Sequence, residues 1–104
     1  MKANIKPPVT RASLLSKELL VAREIYEATQ VDKQEPMYFN KLVERMKQRK
    51  LASRATVSFA LDMLFDQGVV RAEWGQTKDG KHVRNLTIAG EAEKFVKAIY
   101  DATK

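Results

Sequence analysis

The chain reads as a mainly helical domain with a small antiparallel β-sheet, and three stretches carry that reading. Leu51 to Gly68 is a helix with its start and stop written in. The run before it, Lys41 to Lys50, is short, amphipathic and strongly basic. The run after it is two β-rich segments around G-Q-T-K-D-G-K-H, whose Asp79-Gly80 pair is a strong hairpin signal. Two helices joined by a tight turn and followed by a hairpin make a winged helix-turn-helix.

At 104 residues the chain is one domain by length, 1–104. Residues 1–9 are expected to be an irregular arm, because Pro7 and Pro8 oppose an early helix. A first helix spans 10–29, with Thr10 or Ser13 as its cap. Its apolar residues, from Leu14 and Leu15 through Leu19, Leu20 and Val21 to Ile25 and Tyr26, cover more than one stripe. The surplus suits either deep burial or contact with the last helix or a second chain. Gln30 to Pro36 is a polar loop, and Met37 to Phe39 suits a short strand.

The helix-turn-helix occupies 40–68. Asn40 is placed to cap its first helix, which buries Leu42, Val43 and Met46. Leu51 fills the angle between the two helices. Ser53 caps the second, Val57, Leu61 and Leu64 form its core stripe with Ala60, and Gly68 ends it. The wing spans 69–88, with strands at Val69–Trp74 and Val83–Ile88. A last helix spans 89–102, with Ala92, Phe95, Val96, Ile99 and Tyr100 on one side.

Charge follows the same division. The net charge is +6 and the pI about 9.7. Residues 37–60 set six basic side chains, Lys41, Arg45, Lys47, Arg49, Lys50 and Arg54, against Glu44 alone. The wing sets Arg71, Lys78, Lys81 and Arg84 against Glu73 and Asp79. The excess therefore flanks the helix that begins at Ser53, which points to a polyanionic partner.

At the level of motifs, T-V-S-F-A-L-D-M-L-F-D-Q-G-V-V-R, then K-D-G-K, then L-T-I-A-G, resembles the MarR-like winged helix-turn-helix regulators. The matching positions are Thr56, Val57, Leu61, Leu64, Gly68, Val69 and Val70 in the recognition segment. Asp79, Gly80 and Lys81 match in the wing, and Leu86, Thr87 and Gly90 at the start of the last helix. The compact size is similar to small archaeal or viral winged-helix regulators. The resemblance implies a DNA-binding transcriptional regulator that works as a homodimer.

The candidate contacts form three groups. On the recognition helix they are Ser53, Arg54, Ala55, Thr56, Ser58 and Phe59. Arg54 can pair with a guanine edge or grip a phosphate, and Thr56 and Ser58 can bond either. Phe59 can touch a thymine methyl, although an apolar ring is expected to be at least partly buried. The backbone group is Lys41, Arg45, Lys47, Arg49 and Lys50. The wing group is Lys78, Lys81, His82 and Arg84, for phosphate or a minor groove. Trp74 is expected to pack the wing onto the body.

Other chemistries find little support. Cysteine is absent and His82 is the only histidine, so no thiolate or histidine metal site is expected. Asp62 and Asp66 lie one turn apart without a third acidic or histidine partner nearby. No phosphate loop, nucleophile elbow or HExxH occurs, so neither an enzyme nor a cofactor is expected. No apolar run is long enough for a membrane span or signal peptide, and the expected location is cytoplasmic.

The reading is sequence-specific binding of double-stranded DNA, with a homodimer through the first and last helices. The alternatives are a winged-helix module for protein–protein contact and an RNA- or ribosome-binding winged helix. The sequence names no effector.

Overall fold

The computed structural model describes residues 15–104. The expected arm at 1–9 and the caps Thr10 and Ser13 lie outside them. The first described helix, α1 (Lys17–Tyr26), starts at Ser16, whose Oγ accepts the Leu19 N–H at 3.3 Å. It is followed by a π turn (Glu27–Val31), then α2 (Phe39–Gln48) and α3 (Arg54–Asp66). Strands β1 (Val70–Gln76) and β2 (His82–Ile88) form an antiparallel hairpin in register Val70↔Ile88 to Gln76↔His82. A 3-10 turn (Gly90–Ala92) leads into α4 (Glu93–Thr103).

The wide apolar surface of α1 is explained by its position. It packs against α2, α3, α4 and β2, so Leu20, Val21, Ala22 and Ile25 are fully buried. Leu42 and Met46 of α2, Val57, Leu61 and Leu64 of α3, and Val96 of α4 close the core around it. The hairpin supplies Val70, Leu86 and Ile88. Deep burial, not a second chain, accounts for Leu20, and Leu15 packs at the margin of the same core.

Two expectations near residue 40 are corrected. Met37 to Phe39 is not a strand. Instead the Leu86 N–H donates to the Met37 carbonyl at 2.6 Å, and the Met37 N–H to Asn85 Oδ1 at 2.7 Å. That is one rung of a sheet rather than a strand. Asn40 is not the cap of α2 either. Tyr38 holds that position with no side-chain bond, and Asn40 lies in the first turn with its side chain engaged elsewhere.

Both helices of the helix-turn-helix end in the same way. After α2, the Leu51 N–H reaches the Met46 carbonyl and the Lys50 N–H the Lys47 carbonyl. After α3, Val69 reaches Leu64 and Gly68 reaches Phe65. This paired bonding is a Schellman motif, which needs a left-handed residue at its hinge. Gly68 takes that conformation at φ 72°. Lys50 takes it at φ 57° despite having a side chain. The turn is also tied to α1, because Lys17 Nζ donates to the Leu51 carbonyl at 2.8 Å.

A buried ionic cluster joins α1 to α2. Glu24 is 0% exposed and accepts from Arg23 Nη1 (2.8 Å), Arg45 Nε (3.3 Å) and Arg49 Nη1 (3.0 Å). Arg45 Nη2 also donates to Glu27 Oε1 at 2.8 Å and Asp32 Oδ2 at 2.9 Å, and Arg49 pairs with Glu27. Residues five apart sit about 140° apart around an α-helix, at 3.6 residues per turn. The π turn, with its Asp32 N–H bonded to the Glu27 carbonyl, brings both carboxylates to one arginine. Burial pulls the Glu27 carboxyl upward, but the hydrogen bonds of Arg49 and Arg45 and the charges of Arg49 and Arg23 outweigh it. The group therefore titrates below the ordinary glutamate range. From the other side of α1, Arg23 Nε donates to Thr103 Oγ1 at 2.6 Å and the guanidinium lies 5.0 Å from the Tyr100 ring.

Candidate nucleic-acid interface

The start of α3 is built as expected. Ser53 Oγ accepts the Thr56 N–H at 3.3 Å and donates to Thr56 Oγ1 at 3.1 Å. The hydroxyls of Ser53 and Thr56 are thus joined in the cap itself. Val57, Ala60, Leu61 and Leu64 face the core, which turns Ala55, Ser58 and Phe59 outward, all exposed.

Arg54 has a seat that sequence reading did not find. Its Nη2 donates to Asn40 Oδ1 at 2.7 Å, and its guanidinium lies 4.8 Å from the Phe39 ring. The start of α2 thereby fixes the direction of the first side chain of α3. An arginine carries five N–H donors, so donors remain for a ligand.

The two large aromatics fall the other way from expectation. Phe59 is 76% exposed and Trp74 is 77% exposed. Trp74 stands on the same face of the hairpin as Val70 and Ala72, in register with Arg84. That face is buried at Val70, Leu86 and Ile88, but at the level of Trp74 it is Arg84 across the hairpin that meets α3, over the Phe65 ring, and the indole is left in solvent. The tryptophan therefore does not hold the wing down.

The basic side chains divide into two sets. Lys47, Lys50, Lys78, Lys81 and His82 are exposed. Lys41 is half-buried, with its Nζ 3.5 Å from the Pro36 carbonyl. Arg45 and Arg49 are placed elsewhere than expected. Both belong to the ionic cluster, and the Arg45 side chain is only 11% exposed. The nearly buried Arg45 guanidinium is enclosed by carboxylates and leaves the candidate surface, whereas Arg49 gives only Nη1 to the cluster and its side chain is 42% exposed, so its remaining donors stay open to a phosphate. Arg84 is exposed, and its guanidinium lies 5.7 Å from the Phe65 ring.

The hairpin turn carries its lysines on a defined frame. The Thr77 N–H donates to the Lys81 carbonyl and the Gly80 N–H to the Thr77 carbonyl, both at 2.9 Å. Gly80 takes the left-handed position at φ 84°. Between the wing and α3 lies an open groove of about 380 Å³. Phe39, Ser58, Leu61, Phe65 and Arg84 are among its walls. Among the described residues no cluster of acidic, histidine or cysteine side chains is suited to a metal ion. No helix there is long and apolar enough to cross a membrane.

Comparison with known proteins is sparse in sequence and informative in shape. No family model and no curated protein matches the chain. Among solved structures, a PadR-like transcription factor from Bacteroides fragilis superposes with a TM-score of 0.57. The match covers 83% of this chain and 82% of that one, at 17% sequence identity. The fold is a winged helix. In its terms α2 and α3 are the paired helices and β1–β2 is the hairpin that follows them. The comparison supports this fold and does not return the narrower MarR-like group that the motifs resemble.

Proposed function

We propose that this winged helix binds double-stranded DNA sequence-specifically and acts as a transcriptional regulator. The recognition helix α3 enters the major groove, and the wing lies on the backbone or in the minor groove. The observation that carries the reading is the setting of α3. Its first two turns are capped, face outward and are flanked by free lysines on both sides, Lys47 and Lys50 before it and Lys78 and Lys81 after it. The likeness in fold to a PadR-like transcription factor supports the same reading. Blocking promoter access is the simplest mode of action for so small a domain.

Selection of bound duplexes from a random pool, at stated salt, tests it. Enrichment of one motif is the expected result. Preference for single strands or structured RNA in direct competition would replace it with the RNA-binding alternative. Absence of binding to any nucleic acid would leave the protein-contact module. On the selected duplex, Arg54→Ala is expected to cost about 1–3 kcal/mol. Loss confined to one base pair makes Arg54 a base reader, and uniform loss makes it a phosphate clamp. No loss at all would count against α3 as the contact.

The proposal includes a homodimer, with its interface now confined to α4. Tyr100 is half-buried against Tyr26, with ring centroids 5.5 Å apart, so it is not the free aromatic expected. Phe95 is 55% exposed, and Ala98 and half-buried Ile99 continue its side of the helix. A two-fold interface uses the same patch on both chains. Half-sites would then be centred about one helical turn apart, ~34–36 Å, or a multiple of it. Phe95→Glu is expected to shift the sedimenting mass toward the 11.9 kDa monomer. A wild-type monomer at micromolar concentration, both free and on DNA, would remove the dimer.

A further inference from the structure

The outward line of α3 carries side chains of an unusual kind for a helix in so basic a setting. Opposite the buried stripe stand Ala55, Phe59, Asp62 and Asp66, with Ser58 beside them, and all are exposed. Ala55 and Phe59 are four residues apart and therefore neighbours on one face. Arg54 sits to one side, held by Asn40 and Phe39. The two aspartates follow on the C-terminal half, where a carboxylate beside DNA phosphates would be repelled. Contact with a duplex is thus restricted to the first two turns, and its most prominent group there is a phenyl ring.

Leaving that ring in water has a cost, because an aromatic side chain gives up one of the largest apolar gains of burial. None of the described residues covers it, and it stands 76% exposed. Of the four bases, only thymine offers an apolar group in the major groove, its C5-methyl. Cytosine, adenine and guanine present amines and carbonyl or ring-nitrogen acceptors there, which a phenyl ring cannot satisfy and would desolvate. We propose that Phe59, with the Ala55 methyl one turn before it, reads a thymine C5-methyl group in the major groove. The inference rests on the duplex-DNA reading above and adds which base the centre of the recognition helix selects. It also gives Phe59 a partner that differs from the lysines: they bind any sequence, and the ring does not.

The test uses the full chain and a duplex selected by the wild-type protein. Each thymine is replaced in turn by deoxyuridine, which removes the methyl group and keeps the pairing edge. One position is expected to weaken binding by about fourfold, the value of one buried methyl-sized group. Phe59→Ala should bind the thymine and deoxyuridine duplexes alike, and Phe59→Leu should keep part of the discrimination. Because Phe59 is largely exposed, both variants should melt with the wild type. Indifference of the wild type at every position would overturn the inference and leave DNA binding standing. So would full discrimination in Phe59→Ala, or a selected motif with no thymine within reach of α3. Failure to bind any duplex would overturn both. Unchanged DNA binding with a loss of dimer mass in Phe59→Ala would also overturn it, by making the ring a protein contact.

Discussion

Replacing Glu24 by glutamine is expected to cost about 3–5 kcal/mol of folding stability. The glutamate is fully buried and holds three guanidinium groups, from Arg23, Arg45 and Arg49. Removing its charge leaves Arg23 and Arg45, themselves nearly buried, short of a counter-charge where water cannot supply one. The loss is a large share of the ~5–15 kcal/mol that holds a domain of this kind together. Thermal unfolding should fall by more than about 12 °C. Asp32→Ala is the comparison, since its side chain is 40% exposed and its pair with Arg45 is open to solvent. It should cost under about 1 kcal/mol. Equal effects would mean that the cluster acts as a surface network and not as a buried junction. Acid acts on the same junction through Glu27. Its carboxyl titrates below the ordinary value, so its contribution is complete above about pH 4.3 and is lost as the pH falls below that. Denaturant midpoints measured from pH 7 downward should show the decline there.

The second large effect is on DNA affinity. Changing Lys47, Lys50, Lys78 and Lys81 together to alanine should flatten the dependence of log affinity on log salt. Each lost phosphate contact is worth about 0.9 in that slope, or about 3.6 for all four. The four side chains are exposed, so stability should hardly change. Lys94 and Lys97 on α4 are also exposed, Lys97 in an ion pair with Asp101, and provide a control away from α3. Their replacement should leave the slope nearly as it was. A slope that stays steep in the fourfold variant would move the phosphate-binding surface elsewhere on the domain.

Much of this molecule could be read from local chemistry. Ser53 and Gly68 mark the ends of α3 because capping and left-handed geometry are properties of one or two residues. The wing announces itself by Asp79-Gly80 for the same reason. What sequence reading mistook depended on partners far along the chain. Arg45 and Arg49 belong to a basic run by composition, but their carboxylates lie on α1. A signal for this was present. Leu42, Arg45, Met46 and Arg49 follow helical spacing, so both arginines border the buried stripe; Lys50, four residues after Met46, keeps that spacing too and is turned out only because α2 ends before it. On α1, Leu20, Arg23, Glu24 and Glu27 repeat the same spacing. Trp74 was mistaken for a different reason. Strand alternation puts it on the core face, but alternation does not say how far the core extends beneath a hairpin.

The π turn sets a limit on chain length at one place. Its ring of bonds runs from Asp32 back to Glu27, one residue wider than a normal turn. Shortening the segment by a single residue would let an ordinary helix run through, which relieves the local irregularity. It would also rotate everything after the cut by about 100°. Asp32 would then leave Arg45, and the loop that carries Met37 to its bond with Leu86 would arrive out of phase. Elsewhere in a small domain a one-residue gap in a connecting segment is easily absorbed. Here the count between Glu27 and Met37 is set from both ends, by an ion pair on one side and a sheet rung on the other, so this segment should keep its length.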